Sequence, residues 1–345
     1  MVDNSDMGYP TLTDEPLRRL REVFATRMEE RFGWRIQPER VEVLQDVVQG
    51  IFAGLRVFAG AGNGVIVQPP VYPPFLQAVA DAERRLVLNQ LQQGEGGHYD
   101  VDFAALEASI DGGTRILLLC NPHNPTGRVF TRDELSRFAE IAERHDLVII
   151  SDEIHADITY PGYRHIPIAS LHPDVARRTI TLTSATKSFS IPGLRFAVGH
   201  FGDAALQRRF CEVPATLRGG VSAFGLQGTL AAWRHGQPWL EAILSRLEEN
   251  RQRVMRFAHK HLPEGRHPVP EATYLAWLDC RALPLPPGQS PYDFFLDKAR
   301  VALGDGGGFG PGGAGFVRLN FATSQNIITQ IFQRMAEAIY RLQPT

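Results

Sequence analysis

Residues 115–120 read RILLLC, and residues 121–127 follow directly as NPHNPTG. After Arg115 the first stretch carries almost no polar side chain, which is typical of a central parallel strand covered on both faces. The second stretch is a proline-locked loop that carries Asn121 and Asn124. Because ligands of open α/β sheets bind outside the carboxyl ends of the strands, this segment predicts both the sheet and the place of its site.

Strands and helices alternate on both sides of this segment. We predict further strands over 41–44, 65–67, 85–88, 147–151 and 179–183. Helices are predicted over 13–32, from the end of the strand at 41–44 to about residue 59, over 101–109 and over 131–145. The last has Thr131 as N-cap and Glu134 at the capping-box position. Such alternation indicates βαβ units, and we expect an α/β fold whose large domain has three αβα layers around a mostly parallel sheet.

The alternation weakens after about Trp233, and the remaining pattern predicts a smaller α+β C-terminal domain. Its expected parts are a helix over 238–261, strands over 273–278 and 315–321, a helix near 291–300 and a final helix. We place the N-terminal segment and helix at 1–30, the large domain at 31–235 and the small domain at 236–345. The glycine-rich segment 304–315 does not open a helix, so it is not a nucleotide-binding loop. We expect it to be a mobile loop near Arg318 that covers the substrate as a lid.

Composition narrows the class of protein. The 345 residues include 36 Lys and Arg against 38 Asp and Glu, so the net charge is 36 − 38 = −2, which argues against a nucleic-acid partner. Hydrophobic residues make up 43% and charged residues 21%, as in a folded globular chain, and no apolar run approaches the ~20 residues that span a bilayer. Three widely spaced cysteines without a CxxC pair indicate free thiols in a reducing compartment and no metal site. The polar N-terminus is unlike a signal peptide. We therefore expect a cytoplasmic enzyme.

The residues that follow the predicted strands carry a common chemistry. They include a lysine, a carboxylate, an amide, small hydroxyls, an arginine and an aromatic ring, from Asp46, Tyr72, Asn124, Asp152, His155, Ser184, Thr186, Lys187 and Arg195. A lysine amine can form a Schiff base, and a carboxylate can keep a pyridine nitrogen protonated. Hydroxyls, a helix start and an arginine suit a phosphate. These groups together predict a site for pyridoxal 5'-phosphate.

Several segments resemble one family. The chain is similar to fold-type I pyridoxal-phosphate enzymes of the class I/II aminotransferase superfamily. Among these it most resembles the cystathionine β-lyase-like C–S lyase branch, through the strings VYPPF, CNPHNPTG, SDEIHA, SATKSFSIPG, YLAWLDCR and GFVRLNFA. The resemblance implies that Lys187 is the Schiff-base lysine, that Asp152 partners the pyridinium nitrogen and that Tyr72 stacks on the ring. These three are the expected catalytic residues.

The same resemblance implies the remaining contacts. Asn124 would donate to the phenolic oxygen of the cofactor, and Arg318 would clamp the α-carboxylate of an amino-acid substrate. The phosphate would be held by Ser184, Thr186, Arg195 and the backbone at Asp46 and Val47. For His155 two interpretations stay open, contact with the ring or packing alone.

The N-terminal motif MGYP concerns the partner subunit. Tyr9 resembles a tyrosine that reaches the phosphate of the neighbouring subunit, which implies a homodimer with shared active sites. In this family a longer segment precedes the motif, whereas this chain begins a few residues before Gly8. We therefore expect a shortened N-terminal arm.

Two reactions share this residue set. In β-elimination a thiol leaves the substrate Cβ, and pyruvate and ammonia follow. In transamination the amino group stays on the cofactor and a keto acid leaves. Resemblance to the lyase branch favours elimination from cystathionine or a related L-cysteine S-conjugate. An aminotransferase is the alternative, and a cofactor-binding protein with a regulatory role is a third hypothesis.

Overall fold

The computed structural model describes residues 15–342, and it contains one large and two small sheets. The strands of the large sheet are β1 (Val41–Leu44), β2 (Gly64–Val67), β3 (Arg85–Leu88), β6 (Thr114–Cys120), β7 (Val148–Asp152), β8 (Thr179–Thr183) and β9 (Ala197–Phe201). The small sheets contain β4 (Gln92–Gln93) with β5 (Tyr99–Asp100), and β10 (Leu275–Asp279) with β11 (Gly304–Asp305) and β12 (Phe316–Asn320). The large sheet has the order β1-β9-β8-β7-β6-β2-β3, and the three-stranded sheet has the order β10-β12-β11.

The α-helices of the described residues pack on both faces of the large sheet and, in the C-terminal region, against the three-stranded sheet. They are α1 (Glu15–Phe32), α2 (Val47–Phe58), α3 (Pro73–Asp81), α4 (Phe103–Ala108), α5 (Arg132–Arg144), α6 (Pro173–Arg177), α7 (Ala185–Ser188), α8 (Ala204–Cys211), α9 (Ala215–Arg218), α10 (Ala223–His235), α11 (Gln237–His261), α12 (Pro291–Phe294) and α13 (Gln325–Tyr340). Residues of β6 alternate between the layers: Ile116 and Leu118 join the core with α2 and α3, whereas Leu117 and Leu119 join the core with α4 and α5. This confirms the predicted three-layer α/β fold.

The sheet contains one reversed strand that the sequence pattern does not reveal. β2, β3, β6, β7 and β8 pair in parallel. The unpredicted strand β9 pairs antiparallel with both β8 and β1. Two successive reversals return β1 to the direction of the parallel strands, so its carboxyl end reaches the same edge as theirs.

The start of α5 is fixed as predicted. Thr131 caps the helix and Glu134 completes the capping box, with the Thr131 N–H donating to Glu134 Oε2 at 2.8 Å. Arg128 donates to both carboxylate oxygens of Glu134, at 2.8 and 2.9 Å. The loop after β6 is thereby tied to the helix that follows it.

The C-terminal region has its own core. Leu278 of β10 and Val317 of β12 pack with residues of α11 and α13. The helix predicted near 291–300 is shorter than expected, because α12 gives way to a π-helical turn over Phe295–Ala299 that ends at Arg300 with φ +54°. The domain boundaries at 30 and 235 stay predictions. No helix within residues 15–342 combines the length and apolar character that a bilayer span requires.

Candidate active site

A cavity of about 1090 Å³ opens at the carboxyl edge of the parallel strands. All predicted site residues but one line it: Asp46, Val47, Tyr72, Asn124, Asp152, His155, Ser184, Thr186, Lys187, Arg195 and Arg318. The exception, Tyr9, lies outside the described residues. The strand ends bring together side chains that are up to about 270 positions apart in the sequence, since Asp46 and Arg318 face the same space.

Asp152 ends β7 and is buried, with 5% of its surface exposed. Its Oδ1 accepts a hydrogen bond from the Ile154 N–H at 3.0 Å, and no Lys or Arg of the described chain forms an ion pair with it. Burial raises the pKa of this carboxyl to about 7, although the Ile154 N–H and the charge of Lys187 act in the opposite direction. Burying an ionised carboxylate without a cation costs free energy, so Asp152 is suited to pair with a positively charged atom of a ligand.

Asn124 and Arg318 meet from opposite sides of the cavity. Arg318 Nη1 donates to Asn124 Oδ1 at 3.0 Å. Since a guanidinium can only donate, this contact fixes the amide orientation and leaves Asn124 Nδ2 as a donor toward the cavity. The guanidinium also lies 5.0 Å from the ring centroid of Phe309 and 6.0 Å from that of Tyr72, and burial lowers the pKa of Arg318.

One end of the cavity suits an anion. Asp46 caps α2 by accepting from the Gln49 N–H at 2.8 Å, and the first turn of this 12-residue helix lines the cavity with Val47, Val48 and Gln49. Arg195, whose side chain is exposed, contacts Asp46 through an ion pair. Ser184 accepts from the Thr186 N–H at 3.0 Å, and the two hydroxyl oxygens lie 2.8 Å apart. A helix start, an arginine and hydroxyls are groups that bind phosphate.

His155 is buried in the cavity wall. Its ring packs edge-on against Tyr274 with 5.5 Å between the centroids, and its Nδ1 has no hydrogen-bond partner among residues 15–342. Burial lowers the pKa of His155 to about 3, with the charges of Lys187 and Arg318 adding to the effect. The ring is therefore neutral. Tyr274 itself lines the cavity and has no counterpart among the predicted residues, although it belongs to the quoted string YLAWLDCR.

Glu153 does not share the surroundings of Asp152. Its carboxylate accepts from Ser151 Oγ at 2.9 Å and lies 2.8 Å from His165 Nε2, behind the cavity. Asn121 Nδ2 lies 3.5 Å from the other nitrogen of that histidine, while the Asn121 N–H donates to the Asp152 carbonyl at 3.0 Å. This buried network joins the ends of β6 and β7. The sequence shows the two adjacent carboxylates but not the partner of Glu153, because His165 comes from a later loop.

The glycine-rich segment lies near Arg318, as expected, but forms a packed wall. Gly306 touches the backbone of Gly313 and Phe316 so closely that a Cβ would overlap their carbonyl oxygens. The Phe309 ring is buried against Trp277, and its carbonyl accepts from the Val71 N–H at 2.9 Å. The glycines therefore permit close backbone packing in this conformation, and the expectation that the segment is a mobile lid stays a prediction.

The residues present fit pyridoxal phosphate. The unpaired buried carboxylate of Asp152 suits a protonated ring nitrogen, and the donor of Asn124 suits a phenolic oxygen. Lys187 offers an amine, Tyr72 offers a ring face, and the Asp46 end offers a phosphate cup. The fold and this donor set together define a pyridoxal-phosphate-dependent type of site.

The chain belongs to the family of class I and II aminotransferases, whose family model matches residues 12–335. It is 33% identical to the cystathionine beta-lyase PatB of Bacillus subtilis, over 98% of this chain and 86% of that protein. The crystal structure of cystalysin from Treponema denticola, which contains pyridoxal 5'-phosphate, superposes with a TM-score of 0.93 at 31% identity, covering 99% of this chain and 86% of that one. The structure of OvoB has a TM-score of 0.91 at 38% identity, with coverage of 98% and 86%.

Proposed function

We propose that this protein is a pyridoxal-phosphate-dependent C–S β-lyase that cleaves cystathionine or a related L-cysteine S-conjugate to a thiol, pyruvate and ammonia. The observation that carries the proposal is the buried Asp152 carboxylate, which has no basic partner among residues 15–342 and faces the same cavity as Lys187. The relatives named as cystathionine β-lyases support elimination as the reaction.

Several residues of the cavity then have a role in holding the cofactor. Pyridoxal phosphate, when bound, supplies a ring that withdraws electrons from the substrate Cα. Asp152 would keep the ring nitrogen protonated, Asn124 would donate to the phenolic oxygen, and Tyr72 would cover one ring face. The phosphate would be bound by Ser184, Thr186, Arg195 and the backbone at Asp46 and Val47.

Lys187 and Arg318 would act on the substrate. The Arg318 guanidinium is held by Asn124 and would bind the α-carboxylate through two parallel hydrogen bonds. Lys187 Nζ, once released from the cofactor, is the amine in the cavity that can take the Cα proton as a general base. The same ammonium can then protonate the departing sulfur, so the lysine returns to its neutral form.

The charges of the cavity bear on the choice of substrate. Lys187, Arg195 and Arg318 are the cations among the described lining residues, since His155 is neutral. Each of the three has a role in the proposal, so no described cation is left for a second carboxylate of a dicarboxylic amino donor. This favours a lyase that acts on a sulfur substrate whose leaving group carries no net negative charge. It argues against an aminotransferase that acts on dicarboxylic amino acids.

We also infer a cytoplasmic homodimer in which Tyr9 of one subunit reaches the phosphate at the other. The exposed side chain of Phe224 and that of Arg195 line a second cavity of about 380 Å³, which leaves surface for a partner next to the predicted phosphate cup. The free thiols Cys120, Cys211 and Cys280 fit a reducing compartment. Mixing a Tyr9→Ala variant with a Lys187→Ala variant tests shared sites, because hybrid dimers would regain one intact site and activity.

The function is tested by incubating the cofactor-loaded protein with L-cystathionine and no keto acid. We expect pyruvate and thiol in equal amounts. Turnover of an amino acid that requires 2-oxoglutarate, with no pyruvate from cystathionine, would favour the aminotransferase instead. A protein that binds the cofactor but converts neither substrate would support the regulatory hypothesis.

A further inference from the structure

Tyr274 is the tyrosine of the described cavity lining that the proposed mechanism leaves without a role. Its ring meets the edge of His155, and it shares the cavity with Tyr72 and Arg318. The residue is half-buried in the cavity wall, and its hydroxyl forms no hydrogen bond within residues 15–342, so it is available to a ligand. Burial raises the pKa of Tyr274 to about 12, so the phenol keeps its proton at neutral pH and can donate it in a hydrogen bond.

The residue before Tyr274 adopts a costly backbone conformation. Thr273 is fully buried and has a φ of +68°, a region that a β-branched side chain rarely occupies. Its N–H donates to the Ile158 carbonyl at 2.8 Å, its carbonyl accepts from the Tyr160 hydroxyl at 2.6 Å, and its Oγ1 accepts from the Leu275 N–H at 3.1 Å. Such strain persists where the surroundings enforce it, and it concentrates at functional positions.

The strained turn decides where the phenol lies. In a regular strand, consecutive side chains point to opposite faces. Here both Tyr274 and Leu275 line the cavity, because the turn at Thr273 precedes the first residue of β10. The Glu271 and Ala272 N–H groups both donate to the Gly127 carbonyl at 2.9 Å, which anchors the turn to the loop that carries Asn124.

The neighbour of the phenol indicates its ligand. The Tyr274 carbonyl accepts from the Phe321 N–H at 2.9 Å, so Tyr274 lies beside the end of β12, the strand that carries Arg318, and both side chains line the same cavity. A carboxylate bound by Arg318 would therefore come within reach of the phenol. We propose that Tyr274 is a second substrate-binding residue, whose hydroxyl donates a hydrogen bond to the α-carboxylate held by Arg318. This inference rests on the proposed function of the site.

The test compares two amines that differ by a carboxylate. L-alanine has no leaving group on Cβ, and ethylamine lacks the carboxylate, so the affinity of each can be measured by absorbance titration of the cofactor-loaded protein. Tyr274→Phe should weaken L-alanine binding about tenfold, as expected for a lost hydrogen bond to a charged group, and leave ethylamine binding unchanged. The matched control is Tyr163→Phe, which removes the same atom from an exposed ring.

A second variant tests the turn. Thr273→Gly keeps the phenol but frees the backbone that directs it, and we expect at least threefold weaker L-alanine binding with ethylamine binding unchanged. Equal L-alanine affinity in Tyr274→Phe and the unaltered protein, or an equal loss for both amines, would overturn the proposal. Failure of the unaltered protein to bind pyridoxal phosphate would instead refute the proposed function, so the two failures are distinguishable.

Discussion

Replacing Asp152 with Asn should stabilise the cofactor-free protein while abolishing its function. The folded-state pKa of Asp152 is about 7, against an ordinary value of 3.8. Because the folded protein holds this proton more tightly than the unfolded chain does, stability falls as pH rises from about 4 to about 7. A difference of about three pKa units corresponds to roughly 4 kcal/mol at pH 7 and above.

This magnitude is an upper bound, since Asn keeps the shape but not the acceptor strength toward the Ile154 N–H. The measurement is urea unfolding of the cofactor-free protein at a series of pH values. We expect the free energy of unfolding of the unaltered protein to fall between pH 4 and pH 7. That of the Asp152→Asn variant should fall less over this range and should be the higher of the two at pH 8. The control is Asp297→Asn, which changes an exposed carboxylate.

Loading with pyridoxal phosphate should reverse the order at pH 8. A protonated ring nitrogen would pair with the ionised carboxylate, so the cofactor should stabilise the unaltered protein far more than the variant. Equal pH dependence of the two cofactor-free proteins would refute the reasoning, because it would mean that burial does not raise this pKa.

Three further predictions concern the framework of the site. Arg27 forms a buried ion pair with Asp157 at 2.7 Å, so Arg27→Met should lower the free energy of unfolding in urea by about 3 kcal/mol. Adding Asp157→Asn to this variant should restore part of the lost stability, whereas additive losses would argue against the pair. Gly306→Ala should lower stability by about 2 kcal/mol in thermal denaturation, because its Cβ would overlap the neighbouring backbone. Gly307→Ala is the control and should change stability little, because its Cβ would lie 3.6 Å from the nearest atom. Glu153→Gln weakens the hydrogen bond to His165 and should cost about 1–3 kcal/mol, with an unchanged melting temperature as the contrary result.

The sequence pattern predicts the parallel part of the fold well, because strands covered on both faces are continuously apolar. The sequence pattern does not predict the strand at Ala197–Phe201, because this strand follows the predicted phosphate loop directly and its AVGHF pattern gives no sign of reversed direction. Short-range signals such as the capping box at Thr131 were correct because both partners lie within one helical turn.

The candidate site was predicted to the extent that its residues follow strands. Side chains that reach the cavity by tertiary geometry were harder to predict. Tyr274 enters it through a left-handed turn at a threonine, which no propensity suggests. His165 meets Glu153 only after the chain folds back. In the segment 304–315, glycine abundance indicated mobility, whereas the structure uses these residues for close packing.

The central claim is that Lys187 carries the cofactor, and the composition makes it directly testable. The chain contains only three lysines, Lys187, Lys260 and Lys298. Borohydride reduction of the cofactor-loaded protein, followed by peptide mass spectrometry, would show which of them is bonded to pyridoxal phosphate. We predict the added mass on Lys187 in one-to-one proportion with the chain. Labelling of Lys260 or Lys298, or no labelled lysine at all, would contradict the account.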